Sequence, residues 1–106
     1  MAMAVVNDTE LQELRGRGTP VVADFYADWC HPCHALAPEL ESLSAKLGAG
    51  VTFVKVDIDA HPELTEELGI FSVPTVVLFG PEGVEVARSI GAVRAEELAL
   101  RLQLDA

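Results

Sequence analysis

The sequence predicts an α/β domain built on one mixed five-stranded sheet flanked by four helices. Three observations carry that expectation. Short apolar runs of strand length alternate with segments whose apolar residues recur at helical spacing. Half of the 106 residues are apolar, enough to fill one core, so 1–106 reads as a single domain. The last two strand-like runs flank a turn tetrapeptide, so an antiparallel hairpin follows strands joined by helical crossovers.

Val5–Val6 opens the chain as a short strand. Asn7 and Glu10 make an Asn-x-x-Glu start, the pattern of a capping box, for a helix reaching Arg17, where Gly16 and Gly18 break it. Pro20 leads into Val21–Tyr26, a nearly continuous apolar run suited to a buried central strand. Leu36, Leu40, Leu43 and Leu47 then recur at helical spacing, predicting a helix from Pro32 to Leu47 with one buried stripe. Pro38 should kink it, and Gly48 and Gly50 end it. Val51–Asp57 reads as a strand. Pro62–Leu68 is a short helix, with proline in its first turn and Gly69 as its stop. Thr75–Phe79 and Val84–Ile90 are strands around Gly80-Pro81-Glu82-Gly83. The last helix spans Arg94–Leu104, with Leu98 and Leu102 facing inward beside Ala95 and Ala99.

Composition excludes several function classes. Acidic residues outnumber basic ones 17 to 7, giving a net charge of −10. Phosphate backbones and anionic lipid surfaces are therefore poor partners. No stretch approaches the roughly 20 apolar residues of a membrane span. Met1 to Arg17 carries neither the basic n-region nor the long apolar h-region of a secretory signal, so a cytoplasmic location is expected if Met1 is the true start. At this size a monomer is expected.

The chain holds two cysteines, Cys30 and Cys33, too few for a disulfide scaffold. In a reducing compartment such a pair reads as a redox or metal site. It falls where the second strand hands over to a helix. The nucleophile in disulfide exchange is a thiolate, and an ordinary cysteine is mostly protonated at neutral pH. Free backbone N–H groups and the dipole at a helix N-terminus favour the thiolate there. Pro32 fits the first turn, where a missing N–H is no loss. Cys33 can reach back to Cys30, so a mixed disulfide on Cys30 could be resolved within the chain.

Asp24 is the carboxylate within the apolar run Val21–Tyr26. Burial disfavours its charged form and raises its pKa, and a carboxylic acid titrating nearer neutrality is a useful proton acceptor. The bland alternative puts Asp24 on a solvated face, which its apolar neighbours disfavour. His31 and His34 each follow a cysteine. A cation there would stabilise the thiolate and make the disulfide the stronger oxidant; solvated, neutral imidazoles would leave the pair unchanged.

The stretch Val21 to Cys33, VVADFYADWCHPC, resembles the active-site strand and turn of thioredoxins. So do Phe53–Asp59 (FVKVDID), Val73–Pro74–Thr75 and Gly91–Ala92, in the same order along nearly the whole chain. A bare CxxC is a weak signal. Trp29 before it, Asp24 upstream and Val-Pro-Thr downstream make it specific.

The resemblance implies a thioredoxin fold and reduction of protein disulfides by dithiol–disulfide exchange. Cys30 would be the nucleophile and Cys33 the resolving thiol. Asp24 would accept or relay the Cys33 proton, with Lys55 nearby. Read from its neighbours alone, Pro74 is an ordinary trans proline opening a strand. The resemblance makes it a cis-proline facing the cysteines, which leaves the preceding backbone open to a substrate strand. Trp29, Ile58, Val73, Pro74, Gly91 and Ala92 would form the apolar docking surface, with Phe71 as an additional candidate. No bound cofactor is implied: electrons would come from NADPH through a thioredoxin reductase, and pass to disulfide-containing proteins. The chain departs from the family pattern at His31, where glycine is usual, at His34, where lysine is common, and at Tyr26, where a second tryptophan is frequent.

Three rivals remain at this stage. Cys30-His31-Pro32-Cys33-His34 satisfies the C-x-x-C-H haem-attachment pattern, with His34 as an axial ligand and His61, Met1 or Met3 as distal candidates. Haem leaves the preceding strand and Val-Pro-Thr unexplained. A zinc site from Cys30, Cys33, His31 and His34 would crowd four ligands into one segment. A binding subunit without redox chemistry could share the fold. Within the redox class, the runner-up is a more oxidising oxidase or isomerase of an exported compartment.

Overall fold

The computed structural model describes residues 3–104. Its elements are β1 (Ala4–Val5), α1 (Asp8–Arg15), β2 (Val21–Tyr26), α2 (His31–Leu47), β3 (Thr52–Asp57), α3 (Pro62–Glu67), β4 (Thr75–Phe79), β5 (Glu85–Ile90) and α4 (Ala95–Leu102). The sheet order is β1-β3-β2-β4-β5. β1 and β2 flank β3 in parallel, and β4 and β5 run antiparallel, so the expected mixed sheet with a terminal hairpin is what forms.

β2 lies at the centre and is covered on both faces, which is why it reads as a continuous apolar run. Val22, Phe53, Val76 and Leu78 pack against Leu36, Leu40 and Leu43 of α2 and Leu98 and Leu102 of α4. Alternate residues, among them Phe25, Val56 and Phe79, meet Leu11 of α1 and the half-buried Leu64 and Leu68 on the other face. Leu47, the last of the α2 stripe, is only half-buried.

Local chemistry sets the boundaries. The Asn7 capping box is in place: Asn7 Oδ1 accepts from the Glu10 N–H at 2.8 Å, and Glu10 Oε1 accepts from the Asn7 N–H at 2.9 Å. α1 stops at Arg15, short of Arg17, because the Gly16 N–H turns back onto the Glu13 and Leu14 carbonyls. β1 is displaced by one residue, and Val6 leaves the strand buried with its N–H on the Lys55 carbonyl. α2 begins one residue earlier than expected and continues through Pro38, whose ring sits on the exposed side. α4 ends at Leu102, where Gln103 turns left-handed at φ 60° and the Leu104 N–H reaches back to the Ala99 carbonyl.

The β4–β5 turn closes on Gly80 and Gly83, and β5 begins at Glu85 because Val84 belongs to the turn, its carbonyl accepting from the Gly80 N–H. Gly83 has φ +86°, and a Cβ there would lie 2.6 Å from the Arg15 carbonyl oxygen. Its own carbonyl accepts from Arg15 Nε at 2.9 Å, and the Arg15 guanidinium lies over the Phe79 ring. The hairpin is thereby tied to the end of α1.

Candidate active site

The C-terminal end of β2 delivers the chain into the start of α2. Cys30 is the N-cap of that helix, with extended φ −91° and ψ 108°. His31 and Pro32 occupy the first helical positions, both exposed, and no acidic residue sits in the first turn. The positive end of the helix therefore faces Cys30 without a competing carboxylate. The Cys33 N–H points at Cys30 Sγ, 3.2 Å away. Cys30 and Cys33 are joined as a disulfide, their Cα atoms 5.3 Å apart. Both are buried, 4% and 5% exposed, so exposure does not distinguish them; the capping position does.

With Ala27 the two cysteines form a small apolar cluster, against which Tyr26, Ile58 and Val73 pack. The Val73–Pro74 peptide is cis. Pro74 is buried, and its carbonyl accepts from the Gly91 N–H at 2.9 Å, which brings the Gly91 loop to the same corner. Ala92, the next residue, is exposed. Trp29 is 67% exposed and its Nε1 donates to Asp59 Oδ2 at 2.8 Å, so the indole is held at the surface rather than packed inside. Phe71 is 94% exposed in the loop before Val73. His34 Nε2 donates to the Asp28 carbonyl at 2.7 Å.

Asp24 lies on the α2 side of β2, where it shares a cavity lining with Ala37, Leu40 and Glu41 of that helix. It is buried, and its Oδ1 has no hydrogen-bond partner among the described residues. Burial pushes its pKa up from 3.8 to about 6, with the Lys55 ammonium pulling part of the way back. Lys55 is its register partner on β3 but makes no ion pair with it among the described residues. The ammonium lies 4.2 Å from the centroid of the Tyr26 ring instead. A cavity of about 100 Å³, lined by Met3, Val5, Ala37, Leu40, Glu41 and Lys55, reaches Asp24 from the surface.

Of the residues expected from the sequence, Ile58 and Val73 pack against the cysteines, Asp24 and Lys55 are register partners on β2 and β3, and Pro74 follows Val73 through the cis bond. Sequence reasoning missed Asp59 as the anchor of Trp29. The second aspartate of FVKVDID was its signal. It also missed Tyr26 as the partner of Lys55, having treated that tyrosine only as a substitution. Met1, one distal candidate in the haem reading, lies outside the described residues.

A cysteine pair at bonding distance, with one sulfur capping a helix, can exchange disulfides. Known proteins agree: the family described as Thioredoxin matches residues 2–103.

The chain belongs to the thioredoxin family.

A thioredoxin of Chlamydia muridarum is 51% identical over 71 residues, covering 67% of this chain and 68% of that one. A thioredoxin of Alicyclobacillus acidocaldarius is 37% identical over 101 residues, 95% of each chain. Among solved structures, the thioredoxin of Malassezia sympodialis superposes with a TM-score of 0.87 at 31% identity, covering 100% of this chain and 96% of the other. The protein has the thioredoxin fold and is a protein thiol–disulfide oxidoreductase working through its Cys30–Cys33 pair. That assignment displaces the haem reading of Cys30–His34.

Proposed function

We propose that the chain reduces disulfides of other proteins, with Cys30 attacking and Cys33 resolving. The observation that carries this assignment is the capping position of Cys30 Sγ, which accepts the Cys33 N–H. A negative sulfur there gains from the helix N-terminus and from that N–H, whereas Cys33 sits inside the first turn.

The Cys30 thiolate attacks one sulfur of the target disulfide. The target S–S bond breaks, a Cys30–target bond forms, and one target thiolate leaves. The Cys33 thiol then gives its proton to the Asp24 carboxylate and attacks Cys30 Sγ. The mixed disulfide breaks, the second target thiolate leaves, and two electrons have passed from the dithiol to the target. Asp24 suits the acceptor role because burial brings it to about 6, close enough to neutrality to take and release a proton.

Trp29, Ile58, Val73, Pro74, Gly91 and Ala92 form the docking face in this reading. The half-buried Ile58 and Val73 beside the sulfurs support it, and so does the exposed Trp29. The oxidised pair needs two electrons per turn, which a thioredoxin reductase fed by NADPH would supply with no cofactor resident on this chain. A reducing compartment, the cytoplasm, suits a pair that must be re-reduced each cycle. No helix among the described residues is long and apolar enough to cross a membrane.

The test is a pair of single variants with an insulin-type substrate. Cys30→Ser should abolish turnover. Cys33→Ser should accumulate a mixed disulfide mapped to Cys30 by mass spectrometry. A Cys33→Ser protein that turns over normally, or traps nothing, contradicts the roles.

A further inference from the structure

We propose that Tyr26 is a positioning residue for the proton step, its ring face holding the Lys55 ammonium off the Asp24 carboxyl. This deepens the assignment of Asp24 as proton acceptor and rests on it. Asp24 and Lys55 are register partners on adjacent parallel strands, so their backbones are only about 4.8 Å apart. Opposite charges so placed are within reach of an ion pair, yet none forms, and among the described residues Asp24 Oδ1 stays unpartnered at 1% exposure. Tyr26 follows Asp24 by two positions on the same strand and so shares its face. Its ring has captured the ammonium at 4.2 Å, inside the range where a cation is drawn to an aromatic face.

The two placements of Lys55 have opposite consequences. Over the ring, the ammonium acts on Asp24 only from a distance, and the carboxyl keeps most of the effect of its burial. In contact, it would stabilise the carboxylate and make Asp24 a weaker base toward Cys33. A protonated Asp24 offers Lys55 no net charge, so the ring is the better site in that state.

Other groups face Asp24 from each element packed against it. Lys55 comes from β3, with Asp57 two positions further along the same face, and Ala37, Leu40 and Glu41 come from α2. Asp28 lies in the loop after β2, while β1 and β4 present the apolar Val5 and Val76. The added carboxylates are anionic and do not replace Lys55 as a cation. Asp57 Oδ1 already accepts the Asp59 N–H.

The test follows the Asp24 carboxyl carbon by NMR titration of the oxidised protein. The proteins are the parent, Tyr26→Leu and Tyr26→Phe, each with and without Lys55→Met. Tyr26→Leu should titrate about one pH unit below the parent, the low end of the effect of an adjacent cation. Tyr26→Phe, which keeps the ring face, should titrate with the parent. In the Lys55→Met background the leucine and tyrosine proteins should titrate together. An unmoved titration in Tyr26→Leu overturns the proposal. So does a phenylalanine variant that moves as far as leucine, or a shift that survives Lys55→Met, which would mark hydration instead.

A second reading needs no Tyr26 variant. In the parent, the Lys55 ε-CH₂ protons should be shifted upfield by the ring while Asp24 is protonated; ordinary shifts there overturn the proposal. The pH profile of mixed-disulfide resolution separates the two claims. If the carboxyl titration moves while the resolution profile stays fixed, Asp24 leaves the proton step and Tyr26 leaves with it. An unmoved titration beside an Asp24-dependent profile removes Tyr26 alone.

Discussion

Replacing Asp24 by Asn should make the stability of the oxidised protein far less dependent on pH. In the native chain Asp24 is buried, unpartnered at Oδ1 and held at about 6, against 3.8 for the ordinary carboxyl. The native state therefore binds this proton more tightly than the unfolded chain does. The resulting stability is fully present below pH 3.8 and is lost as pH rises through about 6. The gap between those values, at about 1.4 kcal/mol per pH unit, corresponds to ~3 kcal/mol. Asparagine binds no proton and lacks that loss. Any fixed cost of burying an amide cancels when two pH values are compared within each protein. Urea unfolding at pH 4 and pH 8 reads the difference directly. With a slope of about 1–3 kcal/mol per molar urea, the variant's midpoint should gain roughly 1–3 M on the parent's between the two conditions. Parent and variant losing stability in parallel would refute the reasoning. It would mean that Asp24 ionises as easily in the fold as in the unfolded chain, either hydrated through its cavity or paired with Lys55.

Other perturbations test the frame and the site. Gly83→Ala should cost about 2 kcal/mol or more in denaturant unfolding, because a side chain is strained at φ +86° and its Cβ would meet the Arg15 carbonyl. Gly18→Ala, at φ +80° with open space around it, should cost about 1 kcal/mol, and equal losses would contradict the packing of the hairpin on α1. Asn7→Ala removes the capping oxygen of α1 and should cost about 1 kcal/mol by the same assay, while no change would deny the capping box a role in stability. His31→Gly should make the pair more reducing at equilibrium with glutathione, since it removes a potential cation beside Cys30; equal potentials would end that role for His31.

Much of the fold was legible because hydrophobic periodicity and punctuation agreed. The β2 run, the leucine stripe of α2 and the Gly-Pro-Glu-Gly turn each announced their element. Ends were less legible because they depend on contacts between segments. α1 stops at Arg15 where its backbone turns back, and α4 stops where Gln103 turns left-handed, a conformation glycine would have signalled and glutamine does not. Pro38 does not end α2, which runs on to Leu47 with Leu36, Leu40 and Leu43 buried against the sheet. At the site, Cys30, Cys33 and Asp24 were visible as residue types in the wrong company: thiols at a helix start and a carboxyl in an apolar strand. The pairings Trp29–Asp59 and Tyr26–Lys55 were not visible, because each joins β2 or its following loop to β3 or its following loop and depends on side-chain direction across the sheet.

The most direct measurement is the pH dependence of alkylation of the reduced protein, with each modified cysteine identified by mass spectrometry. The account predicts that Cys30 is labelled first, faster at neutral pH than a cysteine in an unstructured peptide, with a midpoint below the usual thiol value of about 8.5. Labelling of Cys33 first, or of neither thiol faster than the peptide, would contradict it.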